Sequence, residues 1–299
     1  MNDNLRGATF MIGSMATFTL NDACIKFLAQ DLPTFQVVFL RGIGVCVLLT
    51  VLAKVTGALA QPIPRQDRGR VLARAIAEVA AFLPFIIALT HMPLANITAI
   101  LQALPLTITA AGALLLGERV GWRRWTAIAV GFFGVLLIVR PGPDGFDWWS
   151  LLAVISVLII TARDLITRRL SPEVPSLKVA LFTAAGVMAL GLGLSFRESW
   201  VTPGLGQFGI MALASMFILG GYLFSVMAMR VGDVAVVTPF RYTAMIWGLL
   251  LGLLVFGDWP DGLTLLGAGI VVATGLYTLW RETRAAPSRS ETLGNGGQV

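Results

Sequence analysis

The chain has 299 residues, is 57% hydrophobic and only 13% charged, and has a mean hydropathy of +0.82. Soluble domains carry about twice that share of charge, so a water-soluble globular protein is excluded. The net charge of +6 would suggest nucleic acid in a soluble protein. Here the basic residues fall in short connections and at the ends of apolar runs, so membrane topology is the better reading and nucleic acid is excluded as a partner.

Taken in chain order, the apolar runs predict ten membrane-spanning helices over 7–29, 34–56, 71–91, 94–116, 122–140, 148–169, 177–195, 205–229, 234–256 and 262–281. Runs of about 20 residues cross roughly 30 Å of hydrocarbon as helices. The expected fold class is an all-α polytopic membrane protein. The first apolar run ends without a small-residue cleavage site and reads as a span, not a removed signal. The longest polar connection is Gly57–Arg70. The segment 283–299 has nothing to bury and reads as a disordered tail. Cys24 and Cys46 both lie inside spans, which argues against a structural disulfide or a cysteine metal site.

Lys and Arg flanking spans stay cytoplasmic. Alternate connections carry Lys54/Arg65/Arg68/Arg70, then Arg119/Arg123/Arg124, then Arg168/Arg169/Lys178, then Arg230. Arg6 and Arg281/Arg284/Arg289 lie on the same side. The opposite connections hold Arg140 and Arg197 beside Asp144, Asp147, Glu198, Asp258 and Asp261. Both termini are therefore expected in the cytoplasm. Trp148, Trp149, Trp200 and Trp259 are expected at the outer interface, and Trp122, Trp125 and Trp280 at the inner one.

The two halves echo each other. Ala88-Leu-Thr-His-Met-Pro-Leu-Ala95 aligns with Ala228-Met-Arg-Val-Gly-Asp-Val-Ala235 at an offset of 140 (228 − 88), and Gly117-Glu118 aligns with Gly257-Asp258 at the same offset. Earlier in each half, Asp22, Lys26, Pro33 and Thr34 align with Asp164, Arg168, Pro175 and Ser176 at an offset of 142 (164 − 22). Five spans per half is an odd number, so the second half enters from the opposite face. The predicted units are 7–140 and 148–282, an inverted repeat, with the cytoplasmic tail 283–299. Such repeats are common in secondary transporters, with the substrate site at their interface near the midplane.

Gly117-Glu-Arg-Val-Gly-Trp-Arg-Arg-Trp, Gly131-Phe-Phe-Gly-Val-Leu-Leu-Ile, Pro93-Leu-Ala95 and Pro105 resemble the drug/metabolite transporter superfamily, specifically its EamA-type ten-helix members. The resemblance covers about 7–282. It implies ten helices around a central cavity, alternating access, and the third, fourth, eighth and ninth spans among the cavity walls. It also implies a small-molecule substrate: an amino acid, a riboflavin-like vitamin, S-adenosylmethionine or an organic anion. The second half departs from the motif, with Gly257-Asp-Trp-Pro-Asp in place of Gly-Glu-Arg-Val-Gly.

An ionisable group inside a span costs about 2.5–3.5 kcal/mol on insertion scales and usually faces a cavity or a partner. Asp22/Lys26, Arg74/Glu78 and Asp164/Arg168 are spaced i, i+4. They read either as neutralised intrahelical pairs with snorkelling ends or as groups facing a cavity. Arg163 lies beside Asp164. Arg41 and Arg241 have no acid at i±4, so each needs an acid from another helix or an anionic substrate group. Arg41–Asp22 is the expected outer pair, and Asp164 and Glu78 are the candidates for Arg241. Asp22 and Glu78 are the candidates for proton coupling. Gln102 and Tyr242 are repeat-equivalent (242 − 102 = 140); with Tyr222 and Trp247 they are candidates for the lining, against the alternative of packed core. Gly248-Leu-Leu-Leu-Gly252 fits a close helix-packing motif.

No phosphate-binding Gly-Lys-Ser/Thr loop occurs, and one histidine with two cysteines does not make a metal centre. No cofactor or catalytic residue is predicted. The expectation is a secondary or facilitative transporter of a small metabolite in the bacterial inner membrane, monomeric or homodimeric. A channel and a lipid-modifying enzyme are the alternatives.

Overall fold

The computed structural model describes residues 3–118, 120–140 and 148–285. Arg119, residues 141–147 with Asp144 and Asp147, and Arg289 lie outside the described residues. The described residues are helical throughout, with short connections. The helices are α1 (Asp3–Leu28), α2 (Thr34–Val55), α3 (Arg68–His91), α4 (Leu94–Leu101), α5 (Leu104–Leu116), α6 (Trp122–Val139), α7 (Trp148–Arg168), α8 (Ser176–Ser195), α9 (Leu205–Val231), α10 (Val234–Val237), α11 (Thr243–Phe256) and α12 (Gly262–Ala285). Read with α4–α5 and α10–α11 as single crossings, they make ten. Among the described residues, nine crossings are long and apolar enough to span a membrane. The tenth, α1, is long enough at 26 residues but carries Asn21, Asp22 and Lys26. Helix α12 runs to Ala285, three residues into the segment expected to be disordered, because the helix continues past its apolar stretch.

The packing is that of an inverted repeat. Exchanging the halves turns the crossings of α1, α2, α3, α4–α5 and α6 into those of α7, α8, α9, α10–α11 and α12. The most extensive contacts are α1 on α9, α3 on α7, α2 on α8 and α6 on α12. The exchange converts the first pair into the second and leaves the other two unchanged. It likewise converts α2 on α9 into α8 on α3, and α1 on α11 into α7 on α5. Crossing by crossing, these larger contacts map onto one another under the exchange, so the arrangement has a pseudo-twofold axis.

Small residues set the closest approaches. A Cβ on Gly134 would lie 2.8 Å from the Gly267 carbonyl oxygen, so α6 and α12 touch backbone to backbone. The predicted Gly248/Gly252 motif works in the same way. A Cβ on Gly248 would come within 2.8 Å of Thr98 Oγ1, and one on Gly252 within 3.8 Å of the Ala95 Cβ, so α11 lies close along α4. Lipid tails are as apolar as leucine, so such packing, more than hydrophobic burial, holds membrane helices together.

Two continuous spans expected from the sequence are broken. The crossing 94–116 is interrupted by a turn at Gln102–Ala103, before α5 begins with Leu104 and Pro105. The crossing 234–256 is interrupted by a 3₁₀ segment, Thr238–Tyr242, containing Pro239. Each proline lacks the N–H that its carbonyl partner four residues back would use. Gln102 and Tyr242 are the repeat-equivalent pair, so the two breaks coincide under the pseudo-symmetry.

Candidate substrate cavity and its two polar clusters

Between the breaks and the ends of the bundle lie two polar clusters, one in each half of the membrane. The first is built on α1, α2 and α9, near the α1–α2 connection. Arg41 is buried; its Nη1 donates to Asn21 Oδ1 at 2.7 Å. Asn21 Nδ2 donates in turn to Asp22 Oδ1 at 2.9 Å. The expected Arg41–Asp22 pair is therefore bridged by an amide, and Arg41 Nε is buried with no hydrogen-bond partner. Ser215 Oγ donates to the Arg41 carbonyl at 3.1 Å, where Gly44 lets α2 and α9 close up.

Around this cluster the α1–α2 end is tied by backbone contacts. Lys26 does not pair with Asp22. Its Nζ donates to the carbonyls of Leu89 and Met92 at 3.2 and 2.8 Å and lies 5.5 Å from the centre of the Phe256 ring. Carbonyls at a helix C-terminus have no intrahelical donor, and a lysine reaching them satisfies both needs. Glu198, taken from the sequence only as an acid in an outer connection, accepts from the backbone N–H of Phe35 and Gln36 at 3.1 and 3.0 Å. Pro33 gives α2 no side-chain cap, and this acid from the opposite half supplies one. Gln36 exchanges two hydrogen bonds with the Val201 backbone.

The second cluster is built on α3, α7 and α8, near the α2–α3 connection, and is ionic. Arg163 Nη1 meets Glu78 Oε1 at 2.7 Å, and its Nη2 meets Asp164 Oδ1 at 2.7 Å. Arg74 lies 3.6 Å from Glu78, as the i, i+4 spacing predicts. It also donates to the hydroxyls of Thr167 and Thr183 at 3.1 and 2.9 Å. Asp164 does not pair with Arg168, which reaches Glu118 at 3.3 Å. The Tyr222 hydroxyl donates to the Ser176 carbonyl at 3.0 Å. Nearer the end of the bundle, Asp67 accepts from Ser171 and Arg70.

The two clusters occupy repeat-equivalent places. At the 142 offset Asn21 and Asp22 correspond to Arg163 and Asp164, and Arg41 corresponds to Thr183. Helices α1, α2 and α9 exchange with α7, α8 and α3. The pseudo-axis thus carries one polar cluster onto the other, with different chemistry at each.

The broken crossings lie between the clusters. Gln102 is buried and turned back on its own helix, toward the Thr98 carbonyl at 3.4 Å. Tyr242 is buried, and Gly275 on α12 leaves room for its ring. Arg241 is half-buried in the 3₁₀ segment, immediately before α11. Asp164 attracts it and Arg163 repels it, but among the described residues no hydrogen bond or ion pair engages it. Its expected partners, Glu78 and Asp164, are both held by Arg163. Trp247, on α11, has a buried indole N–H with no hydrogen-bond partner among the described residues. Trp149 stacks on His91 with centroids 4.0 Å apart.

A ten-helix bundle with an inverted repeat, broken helices at the pseudo-axis and polar groups enclosed between its halves defines a polytopic membrane transporter of small metabolites. The model of the EamA-like transporter family matches residues 5–140 and again 147–280. The chain belongs to that family and is an integral bacterial membrane protein. It is 24% identical to an S-adenosylmethionine uptake transporter of Rickettsia prowazekii, over 98% of this chain and 100% of that one. It is 27% identical to a riboflavin transporter of Rhizobium johnstonii, covering 93% and 92%. It is 22% identical to a pseudopaline exporter of Pseudomonas aeruginosa, covering 89% and 93%. One solved crystal structure shares the fold with a TM-score of 0.63 at 18% identity, covering 94% of this chain and 99% of that one.

Proposed function

We propose that the chain is a secondary transporter that moves a small metabolite bearing an anionic group by alternating access, performing no chemistry on it. The units 7–140 and 148–282 are the two moving halves, and both termini face the cytoplasm of the inner membrane. In this reading the Arg163–Glu78–Asp164 network closes the inner mouth and the Arg41–Asn21–Asp22 chain closes the outer one.

The observation that carries the proposal is Arg241. It is a cation inside a membrane-spanning crossing, with its would-be acids already engaged by Arg163. It lies in the 3₁₀ segment that leads straight into α11, the irregular stretch of its crossing, and transporters place such irregular stretches at their binding sites. A substrate carboxylate or phosphate gives that charge a partner, and the Trp247 N–H offers a second donor. The relatives' activities, S-adenosylmethionine uptake, riboflavin transport and pseudopaline export, support cargo of that size class and include both import and export. Asp22 and Glu78 are the groups through which a proton gradient would act.

Counterflow in proteoliposomes tests the reading. Labelled substrate should exchange for unlabelled substrate with a panel of amino acids, S-adenosylmethionine, riboflavin and organic anions, and only compounds with an anionic group should compete. Arg241→Gln should raise the half-saturating concentration tenfold or more, and Arg241→Lys should raise it less, because the charge is kept and only the fork is lost. Exchange limited to cationic or neutral compounds, or an Arg241→Gln protein with native affinity, contradicts the proposal. Flux without counterflow would identify a channel.

A further inference from the structure

A concavity of about 950 Å³ lies in the crevice between α3 and α8, and no residue of either polar cluster lines it. Its walls are one stripe of each helix. On α3 the stripe runs from Arg68 through Leu72 and Ile76 to Leu83, and on α8 from Lys178 through Phe182 to Leu190. At ~1.5 Å per residue the fifteen steps from Arg68 to Leu83 cover about 22 Å. That is the depth of one leaflet, headgroup zone included, since a whole bilayer measures about 40–45 Å. The floor is where the helices touch: a Cβ on Gly186 would lie 2.9 Å from Val79 Cγ2. The upper walls stand open, with Leu72, Ile76 and Phe182 about half exposed or more.

The charge is confined to one end. Arg68 and Lys178 stand at the mouth, and the remainder of the crevice is apolar. Lys178 Nζ donates to the Gln61 carbonyl at 2.6 Å, which fixes it and leaves two N–H donors, since an ammonium has three. Arg68 makes only a long contact, 3.5 Å, to the Ile63 carbonyl. Neither forms an ion pair among the described residues, and the nearby Asp67 is held by Arg70 and Ser171.

The inverted repeat supplies an internal control. The pseudo-symmetric crevice lies between α9 and α2 at the other face of the bundle. There the positions equivalent to Arg68 and Lys178 are Phe208 (208 − 68 = 140) and Gln36 (178 − 36 = 142). Gln36 keeps the tether, to the carbonyl of Val201, which is the equivalent of Gln61. The fold therefore needs the tether and not the charge. The two cations are particular to one face.

We propose that the α3–α8 crevice binds one anionic glycerophospholipid of the leaflet at that face, with its phosphate on Arg68 and Lys178 and an acyl chain along the apolar walls. Under the orientation above this is the cytoplasmic leaflet, but the binding itself does not depend on orientation or on the transported substrate. Basic pockets between transmembrane helices gain about a fivefold preference per Lys or Arg for anionic headgroups.

Native mass spectrometry of the full chain tests this, with phosphatidylglycerol and phosphatidylcholine of identical acyl chains added in parallel. Phosphatidylglycerol should be retained about tenfold or more over phosphatidylcholine. Arg68→Gln with Lys178→Gln should bring the two lipids level without changing retention of phosphatidylcholine. Ala80→Phe, which fills the open wall, should reduce both, with the folded fraction checked by size exclusion. Inorganic phosphate should not compete. Equal retention of both lipids by the native chain, or a preference that survives the double substitution, overturns the proposal. A dimer that Ala80→Phe dissociates would give the crevice to a second copy and overturn it equally.

Discussion

The two polar clusters occupy equivalent places in an inverted repeat and are built from different chemistry. At the α3–α7 end, one guanidinium holds two carboxylates and a second arginine braces the network on hydroxyls. At the α1–α2 end, a buried guanidinium donates to an amide, and the amide passes the contact to a carboxylate. Asn21 stands where the other half has Arg163, and Arg41 where it has Thr183. The hydrogen bonds of both clusters are charge-assisted, but only the ionic end sets opposite charges directly against each other. The comparison teaches that the fold supplies two equivalent places for a polar cluster and the side chains decide how the helices are tied at each. The amide end relies on Glu198, Gln36 and Lys26 gripping backbone.

The largest effect should follow from Arg163→Ala. It leaves Glu78 and Asp164 facing each other, with Arg74 beside Glu78 and Arg241 attracted by Asp164. Breaking a fully buried pair costs 3–5 kcal/mol. Here the side chains are 19% and 25% exposed, so about 2 kcal/mol is expected, read as a lowered midpoint of thermal unfolding in detergent, with counterflow reduced at least tenfold. Arg163→Met with Glu78→Met should restore most of the stability, because an apolar pair of similar volume is often neutral or better, and should not restore transport. If transport returned along with stability, the network would be a structural strut.

Asn21→Asp should have an intermediate effect. It places a carboxylate directly on Arg41 and makes the amide end resemble the ionic one. Counterflow should slow by about threefold to tenfold, while the unfolding midpoint holds or rises, consistent with a direct ion pair replacing a guanidinium–amide hydrogen bond. A faster protein would mean that the amide bridge is not part of a closing contact.

The smallest effect lies away from both clusters. Asp261 precedes α12 and accepts from the backbone N–H of Leu263 and Thr264 at 2.9 and 3.0 Å, beside Arg140. The Thr264 N–H first, then the Arg140 guanidinium, hold its carboxyl below the ordinary aspartate range against a small desolvation penalty. A depressed native value stabilises above the unfolded pKa of about 3.9, and that stability is lost as pH falls through the lower native value. Asp261→Ala should cost about 0.5–1 kcal/mol at pH 7, the lower part of the range for an N-cap, and the difference from the native chain should shrink below about pH 4. Transport should be unchanged. Matched unfolding midpoints at pH 7 would show that the cap contributes nothing.

The number of crossings, the repeat and the Gly248/Gly252 contact were legible because each is a property of residue spacing alone. The breaks at Gln102 and Thr238–Tyr242 were not. The residues around them are as apolar as those in an unbroken helix, and a proline signals a kink without saying that the helix stops. The cross-helix partners were also hidden. Spacing along one helix nominated Arg168 for Asp164 and Asp22 for Lys26. The packing of α3 on α7 brought Glu78 to Arg163 instead, and the free carbonyls ending α3 were within reach of Lys26. Those choices depend on the rotation of each helix about its axis, which a sequence with polar residues on several faces does not fix. Glu198 had a signal that went unused: Pro33 starts α2 without a side-chain cap, so a distant acceptor was required.

The central claim, that the two clusters close opposite mouths of one cavity, is tested most directly by reciprocal accessibility. Gln102→Cys in a chain with Cys24→Ser and Cys46→Ser would be alkylated by a membrane-impermeant maleimide applied from either face. Glu78→Gln, which weakens the ionic cluster, should raise labelling from the α2–α3 loop face and lower it from the α1–α2 loop face. Asn21→Ala should do the reverse. Rates that move together from both faces, or that stay unchanged in both variants, would contradict the account.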